Sequence, residues 1–85
     1  MITRADIEQF NKERDEAVKS YDVQKFREFY TKWHFKGAYE MPLPENDKLI
    51  EVMMRKMVYH LRSSTVAERL EAKRWLKERG CTTKI

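Results

Sequence analysis

The sequence predicts an all-α fold, a compact bundle of about four helices in a single domain over residues 1–85, on three observations. Two glycines and two prolines are the only strong punctuation, roughly 5% of the chain where about 12% is usual, too few for the many tight turns of an all-β domain. Apolar residues recur with helical period in four stretches separated by short gaps. Ten aromatic side chains in 85 residues need an interior, even though a charged fraction of 38% and a mean hydropathy of -0.84 would by themselves suit disorder. The length excludes two independently folded units.

The first helix is expected over about 4–19. Ile7, Phe10, Ala17, Val18 and Tyr21 fall on one arc of a helical wheel, opposite Glu8, Lys12, Asp15, Glu16 and Lys19. A Thr3 hydroxyl accepts from the free amides of the first turn, and Asp6 complements the helix dipole there. Asp22 is the next cap, opening a helix over about 22–36 whose Val23, Phe26, Phe29, Tyr30 and Trp33 share one face. Gly37 closes it by adopting the left-handed conformation, and Met41-Pro42-Leu43-Pro44 cannot continue a helix because proline has no amide donor. Residues 37–46 are therefore a loop.

The third helix, about 46–62, spreads Leu49, Ile50, Met53, Met54, Met57, Val58 and Leu61 over half its circumference, the pattern of a central helix holding the best-buried residues. Thr65 and Glu68 form a capping box that opens the fourth helix, about 66–79. Its Val66 and Leu70 lie away from Ala72 and Trp75, so its two ends are expected to touch different neighbours. The short connections at 20–22 and 63–65 favour antiparallel packing.

Eighteen basic and fourteen acidic side chains give +4, unevenly spread: residues 48–85 hold ten basic and four acidic groups, a net +6. Such a balance permits attraction to phosphates without requiring it. One cysteine, Cys81, excludes an intramolecular disulfide and fits a reducing compartment. Nine charges in the first 20 residues leave no signal-peptide core, and no apolar run has the length of a membrane span. A cytoplasmic protein without a membrane partner is expected.

His34, His60 and Cys81 have no metal-ligand spacing, and no glycine-rich phosphate loop, Gly-x-Ser-x-Gly or His-Glu-x-x-His motif occurs. No cofactor and no catalytic activity are therefore expected. His60 shares the arc of Leu49 and Met53, which places it in the core or at its boundary, whereas Cys81 follows a helix-ending glycine and should be exposed.

Candidate binding residues are few. Arg14 interrupts the apolar arc of the first helix; its stem is expected to pack while its head finds water or a carboxylate. In the second helix the aromatics and the cations take opposite faces, a core with a solvated rim rather than a platform for stacking bases. Phe35 and Tyr39 fall off that face and are candidate exposed contacts. Arg69, Lys73, Arg74, Lys77 and Arg79 make the fourth helix the most basic element; Lys73, Arg74 and Lys77, on one face of it, are expected either to face solvent and contact phosphates, to meet a partner protein, or to pair with Glu40, Glu45 and Asp47 of the loop. Its N-terminal Val66, Ala67 and Glu68 lack the polar side chains of a base-reading helix.

The phrases Phe10-Asn11-Lys12-Glu13-Arg14, Pro42-Leu43-Pro44, Arg55-Lys56-Met57-Val58-Tyr59-His60, Ser63-Ser64-Thr65 and Arg74-Trp75-Leu76-Lys77-Glu78-Arg79-Gly80 resemble short uncharacterised proteins encoded in prophages and other mobile elements of Gram-positive gut bacteria. The resemblance implies a setting in which small proteins regulate transcription, assist assembly or inhibit host factors. Inhibitors that mimic DNA are usually acidic, and this basic chain departs from that pattern. The function expected is a non-enzymatic module that binds a protein partner or a second copy of itself; the alternative is a nucleic-acid-binding accessory protein using the basic C-terminal half, with non-specific affinity.

Overall fold

The computed structural model describes residues 3–84; residues 1, 2 and 85 of the expected domain lie outside the described residues. Four helices follow one another, α1 (Arg4–Lys19), α2 (Val23–Phe35), α3 (Asp47–His60) and α4 (Val66–Glu78), with no strand among the described residues. Asp22 and Asn46 stand outside their helices as extended caps. At its other end α3 stops two residues short of expectation because Leu61 turns extended, with ψ 135°.

Local polar chemistry fixes the helix starts. Thr3 and Asp6 form a reciprocal capping box, as do Thr65 and Glu68, and the Asp22 carboxylate accepts from the amides of Gln24 and Lys25. The Thr3 amide donates to the Asp6 carboxylate at 2.9 Å and holds its pKa below the ordinary value. Glu68 is lowered in the same way by the Thr65 amide, with help from Lys19, and Glu13 is lowered by the hydrogen bond from Lys32. Carboxylates with lowered folded-state values stabilise the fold above their ordinary values of 3.8 and 4.5, and that contribution is lost as pH falls through the folded-state values. The urea midpoint should accordingly drop between about pH 4.5 and 3, and drop less in Thr65→Ala; an equal drop in both proteins would remove the α4 box from the explanation.

The core is one cluster drawn from all four helices: Ala17 and Val18 of α1, Phe26, Phe29 and Trp33 of α2, Ile50, Met54 and Val58 of α3, Ala72 of α4, and Leu61. As its apolar spread predicts, α3 is central and packs against each of the other helices. It does not monopolise burial, because Val18, Ala72 and Leu76 are as fully enclosed as Ile50 and Val58. α4 packs on α3, and α1 reaches its first turn through the ion pair of Lys19 with Glu68 at 3.5 Å, a second neighbour at one end that does not cover the apolar side chains there. Val66 and Leu70 consequently lie in solvent. Ile7 and Leu49 are likewise half exposed despite sitting on apolar arcs. His60 is exposed rather than core, its Nε2 donating to the Thr83 carbonyl at 2.7 Å. Cys81 is half-buried, tied by its amide to the Leu76 carbonyl.

Two glycines do what helix ends need: Gly37 and Gly80 take φ of +88° and +69°. Between α1 and α2 the same left-handed role falls to Tyr21, at φ +55°, where a side chain costs roughly 1–2 kcal/mol. Residues 36–46 are held against α2. Arg27 donates to the carbonyls of Pro44 and Glu45 and to Asp47, the last at 2.6 Å. The Tyr30 hydroxyl donates to the Met41 carbonyl, and His34 Nδ1 to that of Tyr39. Asp47 thus pairs with α2, and among the described residues neither Glu40 nor Glu45 pairs with α4.

Candidate binding surfaces

The residues singled out in the sequence separate into three places. Lys73, Arg74 and Lys77 are all exposed and fall, with Val66 and Leu70, within about 100° of one another around α4. Val66 is 73% and Leu70 61% exposed. The outer face of α4 is therefore an apolar half running into a basic half, and none of its three cations meets a carboxylate among the described residues. Arg69 lies at the edge of this face but turns inward: its Nη2 donates to the Leu61 carbonyl at 2.8 Å, and its buried Nε has no partner among the described residues. It fastens the α3–α4 connection and is not available as a surface cation.

At the far end of the bundle, Arg14 folds back on its own helix. It donates to Asp15 through Nε and Nη2 at 3.1 and 3.0 Å and lies 5.8 Å from the Phe10 ring centroid, the arrangement expected of a packed stem with a carboxylate for its head. Phe35 is 84% exposed, as anticipated. Tyr39 is not: it stacks on Tyr30 with centroids 4.0 Å apart, and burial pushes its phenol up to about 12. Position beside a loop suggests exposure, but the loop folds onto α2 and takes Tyr39 with it. Arg14, Phe35 and Tyr39 do not join the α4 surface.

A second constellation escaped the sequence reading. Arg55 of α3 stands with its Cζ 3.6 Å from the Tyr21 ring centroid and 5.0 Å from that of Trp75, while Arg79 covers Trp75 at 3.8 Å. These four residues, with Glu51 and Met54, line a cavity of about 160 Å³. Burial raises the pKa of the Tyr21 phenol, against the opposing pull of Arg55. The one local signal for this grouping is the four-residue spacing of Trp75 and Arg79, which places them on one helix flank.

Among the described residues no group of three or more His, Cys, Asp or Glu converges as a metal site, and no helix is long and apolar enough to cross a membrane. Comparison with family models, with curated proteins and with solved structures found no match in any of the three. What fold and surface define is an all-α bundle with one peripheral helix that presents an unpaired apolar and basic face.

Proposed function

We propose that this chain is a non-enzymatic, cytoplasmic helical module that binds another protein through the outer face of α4, in the manner of a mobile-element regulator or an inhibitor of a host factor. One observation carries the reading: exposed Val66 and Leu70 lie in line with unpaired Lys73, Arg74 and Lys77 on a helix that packs chiefly on a single neighbour. The complementary partner is a segment bearing both apolar side chains and carboxylates. A second copy of the chain is the other possible occupant, and concentration-dependent mass in light scattering would identify it.

Exposure of the three cations together also supports the second reading, phosphate contact by the basic half, for which residues 48–85 supply a net +6. The two readings differ over Leu70. Affinity capture from host lysate at moderate salt, followed by mass spectrometry, should recover a partner with the natural chain. Leu70→Ser should weaken that complex by about 10- to 100-fold, the worth of one buried leucine, with stability changed by no more than about 0.5 kcal/mol. DNA binding driven by phosphates would ignore Leu70→Ser, and in the triple variant Lys73→Gln, Arg74→Gln, Lys77→Gln it would weaken by orders of magnitude with its salt dependence flattened by up to about three phosphate contacts. Submicromolar, sequence-selective DNA binding at physiological salt overturns the protein-binding reading.

A further inference from the structure

We propose that Arg55 and Arg79, stacked on Tyr21 and Trp75, form a binding site for a small oxyanion, a carboxylate or a phosphate group. The site lies on the flank of α4 away from Lys73, Arg74 and Lys77, so it stands whatever the outer face binds.

The geometry separates the two ways a guanidinium interacts. Stacking uses its flat faces, and Arg55 lies between two rings, at 3.6 and 5.0 Å from their centroids. Its N–H donors lie in the plane of the group, and stacking leaves them free apart from the hydrogen bond to the Tyr21 hydroxyl that pulls against the upward shift of that phenol. No carboxylate is within ion-pairing distance of Arg55 among the described residues. Arg79 has only its chain neighbour Glu78, at 4.0 Å, and donates to the Trp75 carbonyl at 3.2 Å. A partly buried arginine is ordinarily paired; Arg55 has no carboxylate partner among the described residues, and the more exposed Arg79 lines the same cavity with donors to spare. Because the rings hold Arg55 still, little side-chain freedom remains to be lost on binding, and a two-oxygen acceptor can take a fork of parallel N–H bonds.

The local backbone serves the same arrangement. Tyr21 occupies a left-handed position where glycine is the usual residue, and its ring is what covers Arg55. Glu51 lines the cavity too, and Glu71 and Glu68 stand close enough to act on the Tyr21 phenol, so an incoming anion meets opposing charge, most directly from Glu51. That residue provides a test that a purely structural cation–π stack does not share, because its removal should improve binding.

Proton–nitrogen NMR titration of the full chain, with sodium phosphate and sodium acetate in separate arms and sodium chloride at matched ionic strength as the blank, reads the site directly. The expected result is a saturable shift, with Kd on the order of millimolar, confined to the Trp75 indole N–H and the Arg55 and Arg79 Nε–H signals. The arm that binds more tightly identifies the source of the oxyanion. Arg79→Gln, at an exposed position, should abolish saturation with the spectrum otherwise intact, Arg55→Lys should weaken it about tenfold by keeping charge without the fork, and Glu51→Gln should tighten it about threefold. Shifts that fail to saturate, that spread equally to Lys73, Arg74 and Lys77, or that survive Arg79→Gln overturn the proposal.

Discussion

Trp33→Ala is expected to lower the unfolding free energy by about 3–5 kcal/mol. For a chain of this length the whole stability is roughly 4–13 kcal/mol, so a single side chain carries a large share of it. Trp33 is 1% exposed and belongs to the shared core. Phe10 meets it edge-on with centroids 5.2 Å apart, which joins α1 to α2 at the end of the bundle remote from α4. Lys36 and Lys32 lie over the indole at 4.8 and 5.6 Å from its centroid, so the cations of α2 bend across the ring rather than standing apart from it. Among the described residues the buried indole N–H makes no hydrogen bond of good geometry, although the Glu13 carboxylate is near enough for the indole to help lower its pKa. Trp33→Phe, which keeps an aromatic ring in the core, should be much milder than Trp33→Ala. Urea unfolding followed by circular dichroism measures both. Phe35→Ala, two residues along the same helix but 84% exposed, should stay within about 0.5 kcal/mol. A loss below about 1 kcal/mol for Trp33→Ala would take the ring out of the core and return α2 to the reading of an exposed stacking surface.

The contrast between Trp33 and Phe35 was legible in the sequence, and so were the four helices, because both depend on short-range chemistry. Thr3, Asp22 and Thr65 cap helices through bonds to amides two or three residues away, and Gly37 ends one through its own φ. Periodicity also identified α3 as central. It failed where the answer depends on how many neighbours a helix has. An apolar arc states an angle around an axis, not that another element lies in that direction, so Val66 and Leu70 read as buried ends of α4 when nothing covers them. Tyr39 failed for the converse reason: its loop is drawn onto α2 by Arg27, Tyr30 and His34, contacts 11 or more residues apart for the first two. The candidate oxyanion site was least legible of all, since Tyr21, Arg55 and Trp75 come from three separate parts of the chain and meet only after α3 and α4 pack.

Two leucines six residues apart on α4 offer the sharpest test of how that helix is seated. Leu76→Ala is expected to cost about 2–5 kcal/mol, whereas Leu70→Ala should cost no more than about 0.5 kcal/mol. Leu76 has no exposed surface and shares its face with fully buried Ala72, while Leu70 is 61% exposed on the opposite side. Because α4 packs chiefly on α3 and Ala72 has only a methyl group to bury, Leu76 is the largest fully buried side chain the helix has. Its other fastenings are lighter: Arg69 to the Leu61 carbonyl at 2.8 Å, Lys19 to Glu68 at 3.5 Å, and Arg55 against Trp75. A solvent-accessible pair such as half-buried Lys19 and Glu68 adds about 1 kcal/mol or less. Loss of Leu76 should therefore loosen α4 before the rest, and amide exchange should quicken across Val66–Glu78 while the central amides of α2 and α3 keep their protection. Both the outer face and the arginine pocket ride on this helix, so Leu76→Ala should weaken partner capture and oxyanion binding together without touching either surface. Equal destabilisation by the two leucine variants would mean that α4 is rotated from the orientation described, and that Val66, Leu70, Lys73, Arg74 and Lys77 do not form a common exposed face.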